Sequence, residues 1–261
     1  MNKFFKLRGT LPASTATIIE ISGLLLLLLI WQFVTSMQWV SHAILPSPGA
    51  VLYSFKELHF QDYLVRNLWF SIKLNLLGYL EAICIAVPLG FIIGLLPFFK
   101  SLTSKYIDAI RFIPLTAVTG LFIAWFGIET NMKVQFLAFG ILVYLLPVVV
   151  QRVAEVEEIY VQTAYTLGAT KWQIIRTVFM PAVFAKISDD IRVLVAISWT
   201  YIIVAELINK SGGVGSLIFT AARQSRLDKV FAILLVIITV GFVQDKLFQW
   251  IDKKLFSYKY I

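Results

Sequence analysis

Apolar residues in this chain come in long unbroken runs, not in the alternating or one-faced patterns of water-soluble strands and helices. A helix needs about 20 mostly apolar residues to cross the roughly 30 Å hydrocarbon layer of a bilayer. Six stretches meet or approach that length: 18–37, 72–98, 111–128, 133–151, 190–209 and 229–250. They predict an all-α integral membrane protein with six transmembrane helices. Several strictly apolar cores are shorter, 230–243 for example. Those helices must extend into polar flanks, tilt, or sit among neighbours.

Composition agrees with this pattern. Of 261 residues, 59 % are hydrophobic and 15 % charged, where soluble domains carry about 25 % charged residues. One water-soluble core cannot hide so much apolar side chain, so 1–261 reads as a single membrane domain. Cys84 is the one cysteine. It excludes an intrachain disulfide and a Cys-based zinc site, and it reads as a small buried hydrophobe.

The net charge of +8 would suggest nucleic acid in a soluble protein. Here the basic residues mark loops instead. With the N-terminus inside, the cytoplasmic segments are 1–17, 98–111, 152–192 and 244–261, the loop proper of the third being 152–189. These hold fifteen Lys and Arg, against seven in the external segments 38–66, 127–133 and 207–229. That asymmetry follows the positive-inside rule. The four basic residues of the last external loop keep the inverted topology as an alternative. Lys3, Lys6 and Arg8 before the first run, with Ser41-x-Ala43 after it, imitate a signal peptide. The apolar core 18–34 is too long for an h-region of about 7–15 residues, so the helix is expected to remain. Trp31, Trp39, Trp69, Trp125 and Trp250 fall near predicted span ends, where an amphipathic ring favours the interface.

One polar stretch stands out, TAYTLGATKWQIIRTVFMP at 163–181. Gly168 follows a short helical run, where glycine takes the left-handed conformation that ends a helix. Thr170-Lys171-Trp172-Gln173 then matches a capping box that starts the next one. Pro181 is expected to kink or end that second helix. The predicted helix–turn–helix, with Ala164, Gly168 and Ala169 permitting close approach, reads either as a partner-docking element or as an elbow on the membrane surface.

The spacing Ala164-x3-Gly168-x12-Pro181 resembles the EAA loop of permease subunits in ATP-binding-cassette importers. That family's pattern is Glu-Ala-Ala-x3-Gly-x9-Ile-x-Leu-Pro; the corresponding positions here are Gln162, Thr163, Ala164, Gly168, Val178, Met180 and Pro181. Gln162 in place of glutamate removes any salt bridge from that position. Leu45-Pro46-Ser47-Pro48, Ile113-Pro114, Trp125-Phe126-Gly127, Ala205-Glu206 and Gly213-Val214-Gly215 fall where the nitrate/sulfonate/taurine-type branch has similar residues. The resemblance covers about residues 40–255.

The resemblance implies a homodimeric permease in a bacterial inner membrane, both termini cytoplasmic, working with a cytoplasmic ATPase subunit and an external solute-binding protein. The loop would dock on the ATPase and transmit its closure, biasing a two-state bundle. Lys171 and Trp172 are candidate ATPase contacts; otherwise Trp172 is an interfacial anchor and Lys171 a positive-inside charge. The cargo would be a small anion such as nitrate, a sulfonate or bicarbonate. No Gly-x4-Gly-Lys-Ser/Thr phosphate loop occurs in the chain, so ATP and Mg would be held by the partner.

Polar residues within spans are costly and often functional. Glu81 reads as a pathway carboxylate or as an acid paired in the bundle. Glu206 reads as part of an outer gate, as a contact for the binding protein or as a helix-end carboxylate, beside the external stretch 211–219, which reads as a glycine-rich turn followed by a short helix. Thr116, Thr119, Ser198 and Thr200 either line a polar pathway or pack helices together. Asp189, Asp190 and Arg192 either define an inner gate or pair locally, and local pairing is the expectation. His42 and His59 show no metal-ligand spacing, and no catalytic triad or carboxylate pair appears, so an enzyme is not indicated. The competing class is a proton- or ion-coupled secondary transporter using Glu81, but such folds show internal repeats and no half-to-half similarity is present.

Overall fold

The computed structural model describes residues 7, 9, 11–208 and 212–260. Lys3, Lys6 and Arg8 of the N-terminal segment, and Lys210 and Ser211 of the last external loop, lie outside the described residues. In chain order the helices are α1 (Ala13–Ser36), α2 (Pro48–Phe60), α3 (Leu64–Leu95), α4 (Pro97–Ile110), α5 (Leu115–Phe126), α6 (Thr130–Ala154), α7 (Glu158–Thr166), α8 (Lys171–Ile174), α9 (Met180–Ile208), α10 (Val214–Arg223) and α11 (Leu227–Leu255).

Among the described residues, five helical runs are long and apolar enough to cross a membrane: α1, α3, α6, the continuous run Lys171–Ile208, and α11. The expected third span, 111–128, is not one straight helix. Its apolar part is α5, only 12 residues, or about 18 Å at 1.5 Å per residue. A sixth crossing exists only if α4 and α5, bent by 105°, are counted together. The break has a local cause. Pro114 has no amide hydrogen and disfavours helical backbone at Ile113, and Pro114 itself is extended, at φ −63° and ψ 124°. Residues 98–111, expected as a loop, are therefore mostly the helix α4.

The core lies where α3, α6 and α9 meet. The α3–α6 seam is set by small residues: a Cβ on Gly90 would stand 2.4 Å from Val149 Cγ1, and one on Gly94 2.7 Å from Val153 Cβ. Close backbone approach of this kind is how membrane helices gain van der Waals contact without a hydrophobic driving force. The α2 helix, opened by Ser47 accepting the Ala50 amide at 3.2 Å, buries Val51 and Leu58 and packs mainly against α11. The α1 helix is exposed over its apolar length. It is tied in near its end by Trp31, whose Nε1 donates to the Pro46 carbonyl at 3.0 Å. Cys84, expected to be buried, is exposed on α3; a thiol is apolar enough to face lipid without a partner.

Candidate coupling hairpin and translocation groove

The α7–α8 hairpin is built by two end motifs. Gly168 has φ +81°, and the Ala169 amide reaches the Ala164 carbonyl at 3.0 Å while the Gly168 amide reaches Tyr165 at 2.9 Å. This is the Schellman pair of bonds that satisfies the last carbonyls of a helix. Thr170 and Gln173 then form the reciprocal capping box, with the Gln173 carboxamide accepting the Thr170 amide at 2.7 Å. Ala164 and Ala169 are half-buried beneath the turn. Leu167 is 82 % exposed, and Ile159, Tyr160 and Tyr165 are also exposed, so apolar side chains crown a polar loop.

Pro181 does not end the second helix. The chain stays helical from Lys171 to Ile208, passing through a π-helical turn at Ile175–Phe179 in which the Met180 amide bonds the Ile175 carbonyl. Proline removes one donor from the ladder, and widening the preceding turn is how the helix continues past it. The second arm of the hairpin is thus the end of the helix that crosses the core. Trp172, 66 % exposed, lines an apolar cleft of about 470 Å³ together with Val87, Phe91 and Leu95 of α3 and Phe184 of α9. Lys171 is exposed.

Ion pairs fasten the base of this hairpin. Arg152 grips Asp190 through two bonds of 2.7 and 2.8 Å and Glu155 at 2.8 Å; the Arg152 hydrogen bond holds the Glu155 carboxyl below its ordinary range. Asp189 pairs with Lys259 at 2.7 Å, Arg192 pairs with Asp245, and Tyr258 donates to the Pro181 carbonyl at 2.7 Å. The local pairing expected among Asp189, Asp190 and Arg192 is absent. Each reaches a different element, because adjacent residues on a helix point in different directions.

A groove runs along the face formed by α4, α5, α6 and α9. Its first section, about 450 Å³, is lined by Lys100, Ser104, Asp108 and Arg111, a stripe along α4, facing Tyr144 and Gln151 of α6. Its second, about 250 Å³, is lined by Arg111, Thr116, Tyr144, Thr200 and Tyr201. Arg111 and Tyr144 belong to both, so the two sections adjoin. Thr116 and Thr200 are therefore brought together on one wall. Thr119 is half-buried and lines neither section. Ser198 is buried in the seam with α3, its hydroxyl 3.0 Å from Asn75 Oδ1, in keeping with the packing alternative. Glu81 also lines neither section and accepts from Gln135 Nε2 of α6 at 2.9 Å.

Glu206 is fully buried. It accepts the Ser71 hydroxyl at 2.6 Å and the Gly215 amide at 2.8 Å, while Ser71 Oγ accepts the Val214 amide at 2.9 Å and Asn67 accepts that of Gly213 at 2.9 Å. The ends of α9, α10 and α3 are joined by this latch. Gly213, at φ +100°, could carry no side chain: its Cβ would fall 2.1 Å from the Glu206 carboxyl carbon. Sequence reading singled out Glu206 but not Ser71, Asn67, Arg111, Tyr144 or Tyr201. The usable signals were Arg111 two residues before Ile113-Pro114 and two tyrosines inside apolar runs.

Comparison with known proteins adds the following. The family described as binding-protein-dependent transport system inner membrane component matches residues 86–257. A Bacillus subtilis (strain 168) protein named as an aliphatic sulfonates transport permease is 31 % identical over 268 residues, 96 % of each chain. The taurine transport system permease of Escherichia coli K12 is 25 % identical, over 96 % of this chain and 93 % of its own. Among solved structures, a chain of the MetNI methionine ABC transporter in an inward-facing form superposes with TM-score 0.61 at 15 % identity, covering 75 % of this chain and 95 % of that one. A chain of an amino acid ABC transporter gives TM-score 0.56 at 18 % identity, covering 78 % and 97 %. At such identities the likeness concerns the fold.

Proposed function

This chain belongs to the family of binding-protein-dependent transport system inner membrane components, the permeases of ABC importers, and from that premise we propose that it carries a small organic oxyanion, of the sulfonate type, inward by alternating access. Relatives named for aliphatic sulfonates and for taurine support that substrate class. In this reading an external binding protein delivers the solute, two copies of the chain enclose the path, and a cytoplasmic ATPase supplies ATP and Mg. The membrane is the bacterial inner membrane, with both termini on the ATPase side.

The observation that carries the proposal is the single helical run from Lys171 to Ile208. Its first turn is one arm of the hairpin, and near its far end Thr200 and Tyr201 line the groove. Force applied at Lys171 reaches Tyr201 through continuous helix, about 45 Å at 1.5 Å per residue. The exposed crown of Leu167, Tyr165 and Ile159 offers an ATPase cleft an apolar knob, and an apolar patch rimmed by polar residues marks an interaction site. Ala164, Gly168, Ala169 and Thr170 hold that knob rigid, whereas Trp172 faces the apolar cleft it shares with α3.

The test is co-purification of the ATPase from detergent with the native chain and with Gly168→Pro. Proline cannot adopt φ +81° and loses the Gly168 amide bond, so the turn is distorted while the spans remain. Loss of the ATPase from an equally monodisperse variant supports coupling through the hairpin. Retention of the ATPase at native stoichiometry, with undiminished ATP-driven uptake, overturns it.

A further inference from the structure

The broken helix beside the groove has features that transport in general does not require. Where α4 gives way to α5, the N-terminus of α5 opens into the second section, lined there by Pro114, Leu115 and Thr116. That end has no side-chain cap and no acidic residue in its first turn; the Ala117 amide turns back onto the Pro114 carbonyl at 2.9 Å, which leaves the Leu115 and Thr116 amides and the positive end of the helix dipole. Arg111, three residues earlier, lines the same space, and Thr116 and Thr200 add hydroxyl groups. Asp108 lines the first section, but the second contains no carboxylate among its described lining residues. The back wall is rigid. Tyr144 and Tyr201 stack with ring centroids 6.4 Å apart and planes 19° from parallel. They are seated by Gly140, where a Cβ would stand 3.0 Å from the Tyr201 ring and 2.7 Å from Leu115.

We propose that this second section is an oxyanion-binding site within the membrane domain, in which Arg111, the Thr116 and Thr200 hydroxyls and the N-terminal amides of α5 hold the headgroup of the passing solute. A guanidinium presents a planar fork of donors that matches an oxyanion. A half-helix N-terminus directed at an anion is the device that broken membrane helices provide. Neither feature would favour an uncharged cargo. The site rests on the importer reading above and deepens it: selection by charge is exercised by the permease as well as by the binding protein. Arg111 is the specificity-determining residue, and the tyrosine pair is the wall against which it works.

The experiment uses the complete importer, permease with ATPase and binding protein, in proteoliposomes. Initial uptake is measured for ethanesulfonate, nitrate and bicarbonate, with dimethyl sulfone as an uncharged isostere. Arg111→Gln should lower ethanesulfonate uptake about 10- to 100-fold, the effect of losing a charge-assisted contact. Arg111→Lys, which keeps the charge and loses the fork, should restore only part of it, and Thr200→Val should lower it by about tenfold. Binding of ethanesulfonate to the detergent-solubilised permease–ATPase complex without binding protein, followed by calorimetry, should disappear in Arg111→Gln; co-purifying ATPase shows that this variant is assembled. If Arg111→Gln transports ethanesulfonate within twofold of the native rate and binds it unchanged, the site is refuted while the importer reading stands. If the native complex hydrolyses ATP but moves none of the three anions, the substrate class fails and this site falls with it.

Discussion

Replacing Glu206 by leucine should destabilise the protein by about 2–6 kcal/mol, and the structure shows where that energy comes from. Leucine is close to glutamate in volume, so no large cavity opens and the cost is one of lost acceptors. Two donors point at the carboxylate in a space without solvent exposure: the Ser71 hydroxyl at 2.6 Å and the Gly215 amide at 2.8 Å. Each buried donor left without an acceptor costs about 1–3 kcal/mol. The charge of Lys133, also buried, acts on Glu206, so losing the carboxylate removes a favourable charge interaction as well. Glu206→Gln retains one carbonyl oxygen but turns an amide NH₂ toward the other donor, so its loss should be smaller, about 1–3 kcal/mol. The assay is reversible unfolding in mixed detergent–SDS micelles, read by tryptophan fluorescence, for both variants. Ser71→Ala and the Glu206→Leu/Ser71→Ala pair would complete a double-mutant cycle. The cycle should give a coupling above about 1 kcal/mol, since the two groups share one network. A Glu206→Leu protein within about 0.5 kcal/mol of native, with no coupling to Ser71, would refute the latch and return Glu206 to the role of a helix-end carboxylate.

Two further outcomes follow from other contacts. Gly90→Ala should cost about 1–3 kcal/mol by overpacking, because the new methyl would meet Val149 Cγ1 at 2.4 Å; adding Val149→Ala should recover part of that loss, and a Gly90→Ala protein as stable as native would disprove the tight α3–α6 seam. On the α2 side, Arg226 bonds Glu57 at 2.9 Å and holds its carboxyl below the ordinary range. A depressed folded-state value means that this contribution is fully present above the unfolded carboxylate pKa of about 4.3 and is lost as pH falls through the lower folded value. Melting temperature should therefore hold from pH 8 to about 5 and decline below about 4.3, with a shallower decline in Glu57→Gln; identical acid limbs would show that the pair contributes nothing.

The sequence by itself determined the class of this protein and the chemistry of its hairpin. Spans are legible because the bilayer demands about 20 apolar residues in a row, a requirement met one residue at a time without reference to the rest of the fold. The hairpin is legible for the same reason: Gly168, Thr170 and Gln173 act through bonds to backbone within five residues, so the Schellman turn and capping box follow from spacing alone. Proline effects were only half legible. That Pro114 interrupts and Pro181 does not depends on what surrounds each: at Pro181 the helix relaxes into a π turn, while at Pro114 the chain bends by 105°.

Only the tertiary structure decided which polar residues serve the groove. Glu81 and Ser198 looked as eligible as Thr116 and Thr200, since hydropathy along a chain carries no information about which face of a helix meets which neighbour. Packing placed Glu81 opposite Gln135 and Ser198 opposite Asn75, and left the two threonines beside Arg111 and the tyrosine pair. The latch was hidden for the same reason, because its partners Ser71 and Glu206 are 135 residues apart. Local backbone chemistry is written in consecutive residues; a polar site assembled from four helices exists only once those helices have packed.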